Sequence, residues 1–347
     1  MPGKLPRRNF LRNAGIAALS IPAVLTLTAQ TKKRSDVIKP KPLSVGDTIG
    51  VVAPASFIRN REKAEAFFKN FEAQGYQIKK GKNIFSNHGY FAGTDQERLA
   101  DIHAMFEDPE VDALFALGGG WGSGRLLPML NFDLIRNNPK ILLGYSDITA
   151  LHLGIHAQTN LVTFHGPNGL SDWNEFTVEH FEKVLIKNKK AKWEGSPEDT
   201  TDLEKGRFTI TEGKAQGKFI GGNLTVLSSL VGSPYLPNFE NALLFLEDIG
   251  EEVYRIDRYL THLKLAGLLE KVNGVVFGSC NDCEPERPEN SFSLKEMLKL
   301  NLKPLNKPCF FGSPFGHLNN KYTFPLGVEV EMDAAKGTIT MKEKACS

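Results

Sequence analysis

Short apolar runs in this chain repeatedly end in a turn rich in Gly, Pro or Ser and pass at once into a segment with helical spacing. The first run, Thr48 to Ala53 in GDTIGVVAPAS, precedes Asn60 to Gly75, where Ala64, Phe67, Phe68 and Phe71 recur at helical intervals. VDALFALGGG, KILLGYS and LVTFHGP repeat the strand pattern. Gln96–Phe106, Gly124–Leu130 and DITALHLGIHAQT read as helices between or after them. Strands that alternate with helices must lie parallel, because a helix carries the chain back to the starting edge. The sequence therefore predicts an α/β fold built on a Rossmann-like parallel sheet with helices on its faces.

The pattern breaks at KNKKAKWEGSPEDTTDLEKG, which is polar and charged. A second α/β pattern follows: GKFIGGN into LTVLSSLVG, the buried strand ALLFLED, the helix EVYRIDRYLTHLKLAGLL, the strand VNGVVFGSC, and a terminal hairpin turning near Ala335-Lys336-Gly337. At 347 residues the chain suits about two domains. The expected division is an N-terminal α/β domain at 43–188, a linker at 189–214 and a smaller C-terminal α/β domain at 215–347. A cleft between two domains is a common place for an active site.

Charge adds a separate message. The formal charge is +2, from 42 Lys and Arg against 40 Asp and Glu, which does not suggest a basic nucleic-acid-binding surface. No acid precedes Asp36, yet Lys4, Arg7, Arg8, Arg12, Lys32, Lys33 and Arg34 do. A basic head, an apolar run from Ala14 to Ala29 and small residues at its end have the layout of an export signal. Paired Arg7-Arg8 before Asn-Phe-Leu-Arg resembles the twin-arginine type. The expectation is a signal peptide at 1–29, a leader at 30–42, and a mature protein of the periplasm rather than the cytoplasm. Removing residues 1–29 would leave 38 bases against 40 acids. No other run approaches the length of a membrane span, so the mature chain is expected to be soluble.

Several residues could carry chemistry. Ser146 sits where a strand turns into a helix, which would present its hydroxyl at the sheet edge beside free helix N–H groups. A helix N-cap is the competing reading. The run Leu117-Gly-Gly-Gly-Trp-Gly-Ser-Gly-Arg125 lacks the Gly-Lys-Ser/Thr ending of a phosphate loop. It fits either a tight turn or a backbone that approaches a substrate closely. Glu247 and Asp248 close a buried strand, where a carboxylate could orient a histidine. His317, in the loop SPFGHLNNK, is the candidate base, with His165 in reserve. His152 and His156 have metal-ligand spacing but no third ligand in sequence, and read as a packed helix face. Cys280 and Cys283 could form a local disulfide; no second pair supports a zinc site.

Together these segments resemble the L,D-carboxypeptidase family of serine peptidases, the muramoyltetrapeptide carboxypeptidases, which also includes the microcin C immunity peptidases. The matching stretches are GDTIGVVAPAS, GGGWGSGRLLP, ILLGYSDITALH, FHGPNG, GGNLTVLSSLVGSPY, LFLEDIGEEVYRIDRYLTHL and FGHLNNKYTFPLG. The resemblance implies two α/β domains with the active site at their interface. It implies Ser146 as nucleophile, His317 as base and Glu247 as the acid that orients it. Gly119, Gly120, Trp121, Asp147 and Asn223 fall at oxyanion or substrate-binding positions. Trp121 stands where the family commonly has Tyr. No metal or cofactor is expected, and neither is a nucleic-acid partner or membrane attachment of the mature chain. The implied substrate is a murein tetrapeptide, from which terminal D-alanine is released in cell-wall peptide trimming or recycling. Arg125 and Arg255 are candidate partners for its carboxylate, and a homodimer is among the expected assemblies. Competing readings are an immunity-type peptidase acting on peptidyl or aminoacyl nucleotide amides, and a non-catalytic periplasmic binding protein.

Overall fold

The computed structural model describes residues 36–194 and 206–347. The expected signal peptide lies outside the described residues. The described chain from Asp36 onward packs as one compact unit containing two sheets.

In the first half, β1 (Thr48–Val52), β2 (Gln77–Lys80), β3 (Ala113–Ala116), β4 (Ile141–Gly144) and β5 (Thr163–His165) pair in parallel. β3 and β4 are buried along their whole length, as expected for continuous apolar runs covered on both faces. The helices are α1 (Arg61–Ala73), α2 (Asp95–Glu107), α3 (Phe132–Asn137), α4 (Thr149–Thr159) and α5 (Glu175–Phe181). Asn60 caps α1, and its predicted face of Ala64, Phe67, Phe68 and Phe71 is the buried one. Thr94 and Glu97 form a reciprocal capping box on α2.

The second half contributes β6 (Lys192–Glu194), β7 (Phe208–Thr211), β8 (Lys214–Asn223), β9 (Leu243–Ile249), β10 (Gly274–Asn281), β11 (Cys309–Phe311), β12 (Phe324–Leu326), β13 (Glu329–Asp333) and β14 (Thr338–Met341). Its helices are α6 (Leu224–Ser229), α7 (Val253–Leu265) and α8 (Leu294–Leu302). β13 and β14 form the predicted terminal hairpin. The second sheet runs β6-β14-β13-β8-β9-β10-β11-β7, and the first runs β12-β5-β4-β3-β1-β2.

These orders depart from a simple division of the chain. β12 lies deep in the C-terminal half, yet it pairs antiparallel with β5 in the first sheet. The stretch expected as a linker contributes β6 and β7, the two edge strands of the second sheet. Its polar composition suits edges, where one side of each strand faces water. Part of the expected leader is also built in. Ile38 bridges Leu161, and Pro40 is buried. The helix expected over Gly124–Leu130 is a 3₁₀ segment, Ser123–Met129, with Pro128 inside it. Proline supplies no backbone N–H and disfavours an α-helical residue before it. Among the described residues, no helix is long and apolar enough to cross a membrane.

α4 explains how the halves meet. It is buried on nearly every side, because it packs against β5 in one sheet and β8 in the other. The first sheet has the order 2-1-3-4-5, so its strand order reverses between β1 and β3. Ligands of open α/β sheets collect at the carboxyl ends of strands beside such a reversal.

Candidate active site

Ser146 follows β4 and opens a 3₁₀ turn, Ser146–Ile148, that runs into α4. Its φ is +63°, in the left-handed region. That conformation costs a residue with a Cβ about 1–2 kcal/mol, and it persists only where the surroundings enforce it. Ser146 makes no side-chain capping bond; Tyr145 occupies the N-cap position. The hydroxyl is instead 3.0 Å from His317 Nε2. His317 Nδ1 is 2.7 Å from Glu247 Oε2. The three residues from β4, β9 and the loop after β11 thus form one hydrogen-bonded chain.

Each member is held from behind. Glu247 is fully buried near the end of β9. His317 follows Gly316, whose φ is +97°, and a Cβ at Gly316 would lie 2.6 Å from Glu247 Oε2. Glycine there lets the loop press against the carboxylate. β10 supplies two further anchors: Ser279 Oγ donates to the Phe315 carbonyl at 3.0 Å, and Asn281 Nδ2 donates to the His317 carbonyl at 2.8 Å.

The glycine loop lies directly over the serine. A Cβ on Gly119 would be 3.0 Å from Ser146 Cβ and 3.3 Å from its Oγ. Gly120 has φ +107°, and a Cβ there would collide with Ser56 Oγ. Ser56, at the β1 side of the strand reversal, accepts a hydrogen bond from the Trp121 N–H at 3.0 Å. Its own N–H donates to the Gly119 carbonyl. The Trp121 side chain is half exposed at the mouth. Asp147 has its carboxylate buried as an anchor, accepting from the Ser123 N–H at 2.7 Å. Burial pushes that carboxyl up. The serine turn and the glycine loop are therefore locked together.

A cleft of about 490 Å³ opens over this arrangement, with Trp121, Arg125 and Ser146 on one side and Asn223, Asp248 and Glu251 on the other. Asn223 caps α6 through its Oδ1 and donates to Asp248 through Nδ2. Its N–H donates to Thr149 Oγ1 on α4, tying the second half to the helix that begins after Ser146. Burial, reinforced by the neighbouring Glu247, pushes the Asp248 carboxyl up to about 6. Arg125 is the one basic side chain among the described residues lining the cleft. It grips Asp95 with Nε and Nη2 and is half exposed. Arg255 does not line the cleft; it pairs weakly with Glu251 at 3.7 Å.

Of the sequence candidates, the structure brings Ser146, Glu247, His317, Gly119, Gly120, Trp121, Asp147 and Asn223 together. His165 is fully buried among Tyr145, Phe245 and Phe315, and burial drives its imidazole well below the usual value. His152 and His156 each bond a backbone carbonyl through one ring nitrogen, and burial lowers both to about 4. They hold the helix in place, and no group able to bind a metal ion occurs among the described residues. Cys280 and Cys283 are joined as a disulfide at the end of β10. Asp248, which the sequence offers beside Glu247 as a possible partner of the histidine, instead lines the cleft with Glu251. Ser56 and Glu251 are not among the sequence candidates: Ser56 is legible as the serine ending the first strand, and Glu251 becomes visible only once the cleft is formed.

Residues 49–166 match the LD-carboxypeptidase N-terminal domain, and residues 216–332 match the LD-carboxypeptidase C-terminal domain. The chain is 40% identical over 310 residues to a probable murein peptide carboxypeptidase of Bacillus subtilis, covering 88% of this chain and 94% of that protein. It is 31% identical over 339 residues to the microcin C7 self-immunity protein MccF of Escherichia coli, covering 88% and 96%. The fold superposes on MccF in complex with glutamyl sulfamoyl guanosine with a TM-score of 0.80, at 27% identity, over 89% of this chain and 99% of that one. It superposes on the muramoyltetrapeptide carboxypeptidase of Oxalobacter formigenes with a TM-score of 0.74, at 27% identity, over 85% and 97%. The two sheets, the order of the matched segments and these likenesses agree: the chain belongs to the LD-carboxypeptidase family of peptidases.

Proposed function

We propose that this protein is a serine L,D-carboxypeptidase that releases terminal D-alanine from murein tetrapeptides. The observation that carries the reading is the hydrogen-bonded chain Ser146–His317–Glu247, beginning at a serine held in a left-handed conformation beneath a glycine loop. His317 Nε2 takes the Ser146 proton as Oγ attacks the scissile carbonyl. Glu247 keeps the Nδ1–H tautomer in place and stabilises the imidazolium that forms. The backbone N–H groups of Asp147 and Gly119 receive the oxyanion. His317 then protonates the leaving amine, and D-alanine departs. Water, deprotonated by the same histidine, attacks the acyl-enzyme and frees the tripeptide and Ser146. Arg125 receives the terminal carboxylate of the substrate. Each step uses this chain's own side chains and backbone.

The names of the relatives support a murein peptide as substrate. The decisive assay is D-alanine release from a tetrapeptide by the wild type and by Ser146→Ala. The variant should stay folded and lose several orders of magnitude in kcat. Turnover near wild type in that variant would end the assignment.

A second reading is favoured by the likeness to MccF, which has been solved with glutamyl sulfamoyl guanosine and with aspartyl sulfamoyl adenosine bound. It makes the substrate a peptidyl or aminoacyl nucleotide amide. Comparing kcat/KM on the two substrate types separates the readings. The acid-free, basic N-terminal segment favours export and peptide trimming in the periplasm. Fractionation that finds only uncleaved protein in the cytosol would reverse that.

A further inference from the structure

Lys321 is a charged side chain with 4% exposure that takes no part in the reaction described above. It lies between His317 and β12. Its Nζ donates to the carbonyl of Leu318, the residue after His317. The same Nζ is 5.0 Å from the ring centroid of Tyr145, the residue before Ser146. The Tyr145 ring meets the His317 imidazole edge to face at 5.0 Å. Lys321 N–H donates to Thr177 Oγ1 in α5, which fixes the root of the side chain. One ammonium therefore touches a neighbour of the serine and a neighbour of the histidine, outside the cleft.

Burying a charge is costly, and an apolar side chain of similar length would fill the same space more cheaply. The charge is therefore unlike a packing element, and its two contacts say what it does. We propose that Lys321 is a positioning residue whose ammonium clamps Tyr145 to Leu318 and thereby fixes the distance between Ser146 Oγ and His317 Nε2. The inference rests on the serine-peptidase reading of the site.

The clamp should respond to pH. The charged and titratable groups around it are Lys63 on α1, His165 on β5, Asp172 before α5, Glu247 on β9, Tyr145 and His317. Burial outweighs the help of Asp172 and Glu247 and lowers the Lys321 ammonium to about 8. Below that value the side chain is charged, and above it the attraction to the Tyr145 ring is lost. Tyr145 does not titrate in this window, because burial raises its phenol above the ordinary 10.0.

The test is kcat against pH for D-alanine release by the full chain. Wild type should lose turnover on the alkaline side with a midpoint near pH 8. Lys321→Met should lower the plateau on the order of tenfold, since a displacement smaller than the ~1 Å that costs about 100-fold removes part of that factor, and should abolish the alkaline limb. Lys321→Arg keeps its charge at any working pH, so it should restore most of the plateau and move the limb upward. The same limb in all three proteins, or a Lys321→Met plateau within about twofold of wild type, overturns the proposal. Should Lys321→Met fail to fold, the limb of Lys321→Arg decides by itself. Ser146→Ala runs alongside. An active Ser146→Ala overturns both this proposal and the site reading. An inactive one beside unchanged Lys321 variants overturns the clamp alone.

Discussion

Gly316→Ala tests whether the His317 loop is held by contact or by chance proximity. The native φ of +97° places the new methyl 2.6 Å from Glu247 Oε2, 2.7 Å from Ser279 Oγ and 2.8 Å from Glu247 Cβ. Comfortable separations are about 3.5 Å, so the loop or the carboxylate must move by about 1 Å. Both neighbours are buried, and neither is the free end of a flexible side chain. The left-handed backbone costs alanine about 1–2 kcal/mol, and overpacking a filled site costs about 1–3 kcal/mol. A loss of roughly 2–5 kcal/mol in urea unfolding is the expected sum. A displacement of about 1 Å between reacting groups can remove about 100-fold in rate. Turnover should therefore fall by about that factor in protein that is still folded.

Gly267→Ala is the matched control. Gly267 follows α7 with φ +67°, and a Cβ there has nothing within 4 Å. It carries the backbone strain without the collision, so it should lose about 1 kcal/mol of stability and keep full turnover. Stopped assays on purified, folded protein give both numbers. Equal turnover in the two variants would refute the claim that Gly316 sets the His317–Glu247 contact.

Two other outcomes follow from the cleft. Arg125→Ala should raise KM about tenfold for a peptide with a free terminal carboxylate and change kcat little; it should leave KM for the C-terminally amidated peptide alone, and equal effects on both peptides would remove Arg125 from carboxylate recognition. Asp248, raised from the ordinary 3.8 to about 6, binds its proton more tightly in the folded state. Its contribution to stability is therefore fully present below pH 3.8 and is lost as pH rises through 6, by about 3 kcal/mol. Asp248→Asn forfeits an acceptor for the Thr225 N–H and hydroxyl, and is weaker throughout, but its stability should vary less between pH 4 and 6 in urea titrations. An unchanged slope would show that Asp248 does not titrate there.

The parallel first sheet was legible because its strands are continuous apolar runs and its helices carry one clear face, as α1 does. Ser146, Glu247 and His317 were legible as positions at strand ends and in a glycine-bounded loop, and the family resemblance linked them. Their mutual distances were not, because no local pattern records which strand ends meet in space. The edge strands β6 and β7 look like linker in the sequence for a related reason: a short strand with one face in water has no strong alternation to betray it. β12 was hidden by its length, since three residues carry no periodicity and its partner β5 lies far back in the sequence. Lys321 gave no signal at all. A lysine in a Asn-rich loop reads as solvated until the fold closes over it.

The path of β12 gives the site a mechanical logic. Ser146 belongs to the first sheet, whereas Glu247 and the strand leading into the His317 loop belong to the second. With two independently packed sheets, the 3.0 Å separation of Ser146 and His317 would drift with every small adjustment between them. The chain removes that freedom by leaving β11 in the second sheet, presenting His317, and entering the first sheet as β12 beside His165. The loop carrying His317 is thus fastened to both sheets, one at each end. Asn223 adds a second tie, from the end of β8 to Thr149 at the start of α4. A site split between two sheets needs such crossings, because catalysis depends on a distance that neither sheet can set alone.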